Sequence, residues 1–369
     1  MKLVLSGGGT GGHVYPALSV AEALRSLLPA GEALDVLYVG SSAGNEAEIV
    51  ERAAVPFRGV SAAPIRGRLP WQMATNAAKI GAGAAQSRSI LSEFRPEVVL
   101  STGGYASFPV ALAARGRKIP LAVYLPDLSP GWAVRAIARL AQKVAVTAIE
   151  SLRSLPGGKT IVTGYPVRSE FWKVDRASGR ERLGLSPEEK VLFVSGGSTG
   201  AQRINRAVAS DLAGLLELCE VIHVSGPGDE GWLREIRDGM PDALRNRYHL
   251  HGYMHDEMPW AMAASDLALC RAGASVIGEL PALGLPAVLV PLPLAGAHQR
   301  TNARYLAKHG AATVLEEDYL DNILPVVGTL LHDENRLRDM RDASRRLARP
   351  NAATRIARML LDLAKDGQR

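Results

Sequence analysis

At 369 residues the chain is too long for one ordinary core, and two domains are expected; 47% hydrophobic and 22% charged residues are ordinary for a soluble globular protein. The net charge of +6 suits anionic lipid, nucleic acid or phosphorylated ligands, but aromatics are only 5% and no basic–aromatic interleaving offers a nucleic-acid platform. Cys219 and Cys270 both lie in apolar runs, which points to buried thiols in a reducing compartment rather than a disulfide. Met1-Lys2 leads straight into a strand, so no signal peptide is expected and the protein is placed in the cytoplasm.

Lys2–Ser6 predicts a short strand. It feeds Gly7-Gly8-Gly9-Thr10-Gly11-Gly12-His13, then a helix with Val14, Leu18, Ala21 and Leu24 at helical spacing. Such a loop lets backbone N–H groups approach a phosphate closely. Gly7, Gly9 and Gly12 satisfy G-x-G-x-x-G, but a dinucleotide site wants an acid at the end of the next strand. That strand, Val36–Val39, ends in Gly40-Ser41-Ser42, and Asp35 stands at its wrong end. His13, at the helix start beside a phosphate-sized cradle, is a candidate general base; the alternative is a histidine that only hydrogen-bonds to the turn.

Pro64-Ile65-Arg66-Gly67-Arg68-Leu69-Pro70-Trp71-Gln72-Met73 mixes cations with apolar residues. It reads either as a solvated surface or as a contact with a membrane surface, cations on lipid phosphates and Leu69, Trp71 and Met73 dipping in. Val98–Leu100 is a buried strand that ends in a second glycine turn, Ser101-Thr102-Gly103-Gly104-Tyr105, with a helix from about Pro109. Strands follow at Leu121–Tyr124, ending in Leu125-Pro126-Asp127, and at Val144–Thr147. Gly157-Gly158-Lys159-Thr160 lacks the first glycine of a Walker loop and reads as a turn. Pro and Gly in Val162–Arg168 suit a hinge.

The second half restarts the first. Val191–Ser195 is a strand, Gly196–Ala201 a glycine loop containing Ser198, and Ile204 opens a helix. Two similar nucleotide-fold domains explain that repetition. Val221–Ser225 and His249–Gly252 are further strands. His249, His251 and His255 have no carboxylate or thiol partner at ligand spacing and read as structural, and no Asp-x-Asp occurs. Leu267–Cys270, a short helix after Ser275 and Ala287–Val290 form a βαβ unit. Gly284 is a natural C′ residue. Glu279, on the first turn of that helix, reads either as a ribose-hydroxyl acceptor or as a solvated glutamate. Four prolines between Leu280 and Ala297 rule out a membrane-spanning helix there. After Pro350, residues Ala353, Ile356, Met359, Leu360 and Leu363 form one apolar helical stripe.

Several of these pieces resemble the MurG family of the glycosyltransferase-B superfamily: Ser6–His13 with Pro16, the turn at Gly103-Gly104, Val162–Arg168, Cys270-Arg271-x-Gly273-Ala274, Glu279, Gly284–Ala287, Val290-Pro291, Gln299 and Asn302. The resemblance covers nearly the whole chain. It implies two Rossmann-like α/β domains facing across a cleft: an N-terminal acceptor domain over 1–163 with the helix 350–369 packed back on it, and a donor domain over 164–349. The implied reaction is inverting transfer of N-acetylglucosamine (GlcNAc) from UDP-GlcNAc to undecaprenyl-pyrophosphoryl-MurNAc-pentapeptide in peptidoglycan synthesis, giving a β-1,4 link. The implied catalytic base is His13. Donor contacts fall on Thr10, Gly11, Gly12, Asp127, Arg168, Ser198, Met254, Ala274, Ser275, Val276, Ile277, Gly278, Glu279 and Gln299, and acceptor contacts on Gly103, Gly104 and Tyr105. The partners implied are the donor, the lipid-linked acceptor and the cytoplasmic face of the membrane, held peripherally, with no metal, no other cofactor and no nucleic acid. One stretch departs: the family carries His-Glu-Gln-Asn where this chain has Tyr124-Leu125-Pro126-Asp127. Two alternatives stand beside this reading: a related transferase for another lipid or polyketide acceptor and, kept open by the departure, a nucleotide-sugar-binding protein without turnover.

Overall fold

The computed structural model describes residues 1–8, 11–44, 46–63, 70–197, 199–293 and 298–367, and of residues 70 and 71 the backbone alone. The chain divides into two compact units, Met1–Arg168 with Arg349–Arg369, and Ser169–Ala348.

In the first unit the strands are β1 (Lys2–Gly7), β2 (Asp35–Ser41), β3 (Phe57–Val60), β4 (Val98–Gly103), β5 (Leu121–Leu125), β6 (Lys143–Val146) and β7 (Thr160–Val162). They form one sheet in the order β3-β2-β1-β4-β5-β6-β7, every pair parallel. The helices are α1 (Gly11–Leu27), α2 (Glu46–Arg52), α3 (Pro70–Phe94), α4 (Ser107–Gly116) and α5 (Trp132–Leu140). Apolar runs such as Leu3-Val4-Leu5 and Val98-Val99-Leu100 are wholly buried, as parallel strands covered on both faces must be. Strand order reverses between β1 and β4, the place where open α/β sheets bind ligands.

The second unit repeats the plan. Its strands are β8 (Val191–Ser195), β9 (Glu220–Val224), β10 (Tyr248–His251), β11 (Leu267–Arg271), β12 (Ala287–Val290) and β13 (Ala312–Val314). All pairs are parallel in the order β10-β9-β8-β11-β12-β13, with the reversal between β8 and β11. Its helices are α6 (Arg176–Leu183), α7 (Gln202–Ser210), α8 (Leu212–Leu218), α9 (Glu230–Asp238), α10 (Asp242–Arg245), α11 (Met258–Ala264), α12 (Val276–Leu283), α13 (His298–Lys308), α14 (Ile323–His332) and α15 (Glu334–Leu347). The last helix, α16 (Ala352–Gly367), belongs to the first unit and packs along α1. It buries Ile356, Met359, Leu360 and Leu363.

Some expectations shift. The division falls between Arg168 and Ser169 rather than at 163/164. Residues 164–168 stay with the first unit because Gly164 packs on Arg349 and Ala352, Tyr165 Oη donates to the Gly12 carbonyl at 3.3 Å, and the Arg168 guanidinium lies 4.4 Å from the Tyr15 ring centroid. Leu18 and Ala353 are half-exposed, and Ala17, Val20 and Ala352 take the buried positions. The helix expected from Pro109 begins at Ser107. Ser275 occupies the N-cap position of α12 in helical geometry, with no side-chain cap bond. Gly284 ends that helix at φ 63°, as its C′ role requires. The turn at Gly157-Gly158 leaves Lys159 Nζ to donate to the Ala141 carbonyl at 2.6 Å, so it serves the end of α5.

Candidate active site

The site of the first unit begins with two backbones. Because β1 and β4 are neighbours, the loops that leave them touch, and the Gly8 N–H donates to the Gly103 carbonyl at 3.2 Å. Gly104 sits at φ 87°, and a Cβ there would stand 2.7 Å from the Gly8 oxygen, so only glycine fits. His13 lies in the first turn of α1, half-buried. Its Nδ1 is 2.6 Å from the Thr102 carbonyl, and the Thr102 hydroxyl returns a bond to the His13 carbonyl at 2.8 Å. A carbonyl can only accept, so Nδ1 carries the proton and Nε2 presents the lone pair. The imidazole is thereby fixed in tautomer and direction, as a general base must be. Tyr105 follows the second loop with 57% of its surface exposed.

Two buried groups behind these loops escaped the sequence reading. The turn after β2 folds Glu46 back onto the strand end, where Oε1 accepts from Ser41 N at 2.7 Å. Glu46 is 1% exposed, and among the described residues neither its Oε2 nor the hydroxyl of fully buried Tyr38 has a hydrogen-bond partner. Burial first, and the Glu46 charge second, push the Tyr38 phenol far above its usual range. An acid therefore does stand at the end of the second strand, supplied by the first residue of α2, but buried and bonded to Ser41 it is not open to a ribose. The signal was there, an acid five residues past Ser41, but strand periodicity does not register a residue that returns through a loop.

The end of β5 explains the departure from the family pattern in packing terms. Tyr124 and Leu125 are buried. Thr147 Oγ1 donates to the Pro126 carbonyl at 2.7 Å and receives the Tyr124 hydroxyl at 2.7 Å. Burial raises the Tyr124 phenol strongly; the Thr147 bond opposes that, and the charge of Asp127 adds to it. Asp127 itself is half-buried at this carboxyl edge. Gly11 and Gly12 open α1 beside His13, and Arg168 covers Tyr15 on the same helix. Thr10 lies outside the described residues.

In the second unit the loop after β8 and the β11–α12 turn are neighbours because β8 and β11 pair. Ala274, just before α12, and Val276, Ile277 and Gly278 in its first turn are buried, with Ser275 and Glu279 half-exposed. A helix start leaves N–H groups without intrahelical acceptors and carries the positive end of the dipole, which suits a diphosphate. Burial pushes the Cys270 thiol up to about 12, and the second cause is the charge of Glu279, which places that carboxylate near the end of β11. Gln299 Oε1 accepts from Leu292 N at 3.0 Å and Asn302 Nδ2 donates to the Ala272 carbonyl at 3.1 Å, so α13 ties the loop after β12 to this turn. Met254, after β10, is buried. Ser198 lies outside the described residues. Arg271 pairs with Glu317, which also binds Arg203 at 3.1 Å; this arginine therefore holds β11 in place.

Under the β8 loop lies a satisfied network. Asn205 Nδ2 donates to the Ser225 carbonyl and to Asp229, each at 2.8 Å, and its Oδ1 meets His223 Nε2 at 3.0 Å. His223 Nδ1 accepts from Tyr248 Oη at 2.8 Å. Burial lowers the His223 pKa to about 3, so it is neutral. Of the other histidines, His249 pairs with Glu220 at 2.8 Å and the His255 ring lies 4.4 Å from that of Tyr253. Among the described residues no group of three or more His, Cys, Asp or Glu is placed to hold a metal ion.

Family models match both units: the glycosyltransferase family 28 N-terminal domain over residues 3–146 and its C-terminal domain over 191–356. A curated relative from Roseiflexus sp. (strain RS-1) is 40% identical over 98% of this chain and 94% of its own length. It is named UDP-N-acetylglucosamine--N-acetylmuramyl-(pentapeptide) pyrophosphoryl-undecaprenol N-acetylglucosamine transferase. The chain belongs to glycosyltransferase family 28. A Bacillus subtilis (strain 168) protein of the same name is 34% identical over 99% of this chain and 100% of its own. Among solved structures, Acinetobacter baumannii MurG matches with a TM-score of 0.74 at 24% identity, covering 98% of this chain and 99% of that one. A Neisseria meningitidis UDP-GlcNAc 2-epimerase bound to UDP-GlcNAc matches at 0.67 and 17%, covering 98% and 100%. These two carry the fold, two parallel-sheet Rossmann-like domains of the glycosyltransferase-B kind. As a family 28 member the chain is a hexosyltransferase, and the MurG-family resemblance read from its glycine loops holds.

Proposed function

We propose that this family 28 enzyme transfers GlcNAc from UDP-GlcNAc to the MurNAc of undecaprenyl-pyrophosphoryl-MurNAc-pentapeptide, with inversion, to form the β-1,4-linked disaccharide lipid of peptidoglycan synthesis. The observation that carries it is near-full-length identity of 34–40% to curated relatives that bear that transferase name. His13 Nε2 takes the proton of the acceptor hydroxyl. The oxygen attacks the anomeric carbon, the bond from that carbon to the diphosphate oxygen breaks, and UDP leaves with the electron pair. Backbone N–H groups at Gly11, Gly12, Ala274, Ser275 and Val276, with the dipole of α12, offset the developing diphosphate charge, so no metal is needed; the N–H groups of Ile277 and Gly278 already donate to the Ala274 and Ser275 carbonyls. Thr10, Asp127, Arg168, Ser198 and Gln299 complete the donor side, Glu279 accepts the ribose hydroxyls, and the backbone at Met254 takes the uracil. Gly103, Gly104 and Tyr105 take the acceptor. Transfer of radiolabelled GlcNAc to a short-chain acceptor lipid tests this; donor binding without transfer would refute it.

The acceptor tail stays in the bilayer, so the enzyme works at the cytoplasmic face. No described helix is long and apolar enough to cross a membrane, and attachment is therefore assigned to a surface patch. Arg66, Arg68 and Leu69 lie outside the described residues, as does the side chain of Trp71; Met73 on α3 is 54% exposed. Each cation near an anionic surface contributes about 1 kcal/mol. Charge reversal at Arg66 and Arg68 should reduce binding to anionic vesicles and leave donor affinity intact. Equal binding to neutral and anionic vesicles would exclude the patch.

A further inference from the structure

The first unit holds a second concave site, lined by none of the residues assigned above. A cavity of about 290 Å³ is bounded by Arg135, Arg139, Arg153, Ser154, Leu155 and Pro156. Its origin is local. The buried face of α5 carries Val134, Ile137 and Ala138, which puts Arg135 and Arg139, four residues apart, together on the outer face. The 3-10 segment Ile149–Ser154 after β6 brings Arg153 and Ser154 up to them, and Leu155 and Pro156 close the wall. Glu150, the acid of that segment, does not line the cavity.

Like charges four apart on a helix repel, and a third cation beside them adds to the cost. Among the described residues none of the ion pairs involves Arg135, Arg139 or Arg153. The negative end of α5 accounts for cations at its last carbonyls, Arg139 among them, and Lys159 already donates there. It does not account for Arg135, one turn earlier, or for Arg153 on another segment. Three arginines lining one cavity suit a shared anion, and the planar fork of arginine matches phosphate oxygens two at a time. The volume sits at the low end for small-ligand pockets, roughly 300 Å³ upwards, which suits a phosphate or diphosphate group more than a whole nucleotide.

We propose that this cavity binds a phosphate-bearing anion, at a site distinct from the sugar-nucleotide site. The ligand is a small phosphate or diphosphate, free in solution. The test uses the full chain saturated with UDP, so that the donor site is filled; any pyrophosphate taken up at the Gly103-Gly104 turn is common to wild type and variant and cancels in their comparison. Inorganic pyrophosphate is titrated by calorimetry, and flotation is measured with vesicles of phosphatidylglycerol and of phosphatidylcholine. The triple variant Arg135→Gln, Arg139→Gln, Arg153→Gln should bind the anion at least tenfold more weakly, with the triple Lys variant in between. Loss of pyrophosphate binding in the variant supports the site; loss confined to phosphatidylglycerol vesicles would show only general attraction to an anionic surface and would overturn the proposal. All three side chains are exposed, and circular dichroism with unchanged UDP affinity checks the fold; Arg135→Gln and Arg153→Gln alone serve if the triple variant misfolds. Wild-type and variant curves that coincide in both assays would overturn the proposal. Unchanged UDP affinity also separates that failure from a failure of the transferase reading.

Discussion

At the carboxyl ends of β1 and β4 the first unit brings two glycine backbones into contact and holds one imidazole by its Nδ1, with Glu46 Oε2 and the Tyr38 hydroxyl buried behind it without partners among the described residues. At the corresponding ends of β8 and β11 the second unit offers a helix start and Glu279, backed by an Asn205–His223–Tyr248–Asp229 network in which both nitrogens of the buried imidazole are bonded. One sheet topology therefore supports two kinds of end. A satisfied buried network is rigid and suits a site that only binds. Unsatisfied buried polar groups cost free energy and occur in both units; the two directly behind a glycine-loop end, Tyr38 and Glu46, belong to the unit whose histidine presents a lone pair for proton transfer. The glycine loops alone, nearly the same in both halves, do not tell the two apart.

The difference can be broken most forcefully at His13. Its replacement by Ala should lower kcat roughly 10²–10⁴-fold with little change in donor KM, measured in the lipid-acceptor assay. If kcat barely moves while binding suffers, His13 only positions, and Asp127 becomes the next base to test. The second unit predicts the reverse split. Glu279→Ala should weaken UDP-GlcNAc binding by about 1.5–3 kcal/mol, roughly 10- to 150-fold, without unfolding. An unchanged donor KM would sink the ribose assignment.

The network behind the β8 loop makes a smaller, pH-dependent claim. His223 is neutral in the fold, its pKa lowered by burial from 6.5 to about 3. Between those values the unfolded chain binds a proton that the folded chain does not, so stability is full above pH 6.5 and falls as pH drops toward 3. The slope from this one group is about 1.4 kcal/mol per pH unit. Urea titrations of wild type and His223→Gln between pH 4 and 7 should show a shallower dependence in the variant; parallel curves would contradict it. The smallest expected effect is none at all: EDTA should leave transfer unchanged in both kcat and donor KM, and loss of activity restored only by a divalent ion would refute backbone stabilisation of the UDP leaving group.

Much of the frame was legible in the chain. The runs at Leu3–Leu5, Val98–Leu100, Val191–Val194 and Leu267–Cys270 are apolar on both faces, which only a covered parallel strand allows, and Gly284 could end α12 because glycine adopts φ 63° without penalty. The edge strands β3, β7 and β13 were not legible. They are three or four residues long, and none alternates between exposed and buried positions, so no period declares itself.

Local propensity and period thus determined, from the sequence by itself, that strand, glycine loop and helix occur twice, and where His13 and Glu279 stand on their helices. The tertiary structure alone decided which partners those groups meet. It set Thr102 under the His13 imidazole, carried Glu46 back to the end of β2, turned Tyr124 into the core against Thr147, and committed Arg271 to Glu317 instead of a ligand. It also gathered Arg135, Arg139 and Arg153 around one cavity. The physical reason is range: hydrophobic period and turn chemistry act over a few residues, whereas these pairings join strands and turns whose neighbours are set by sheet order.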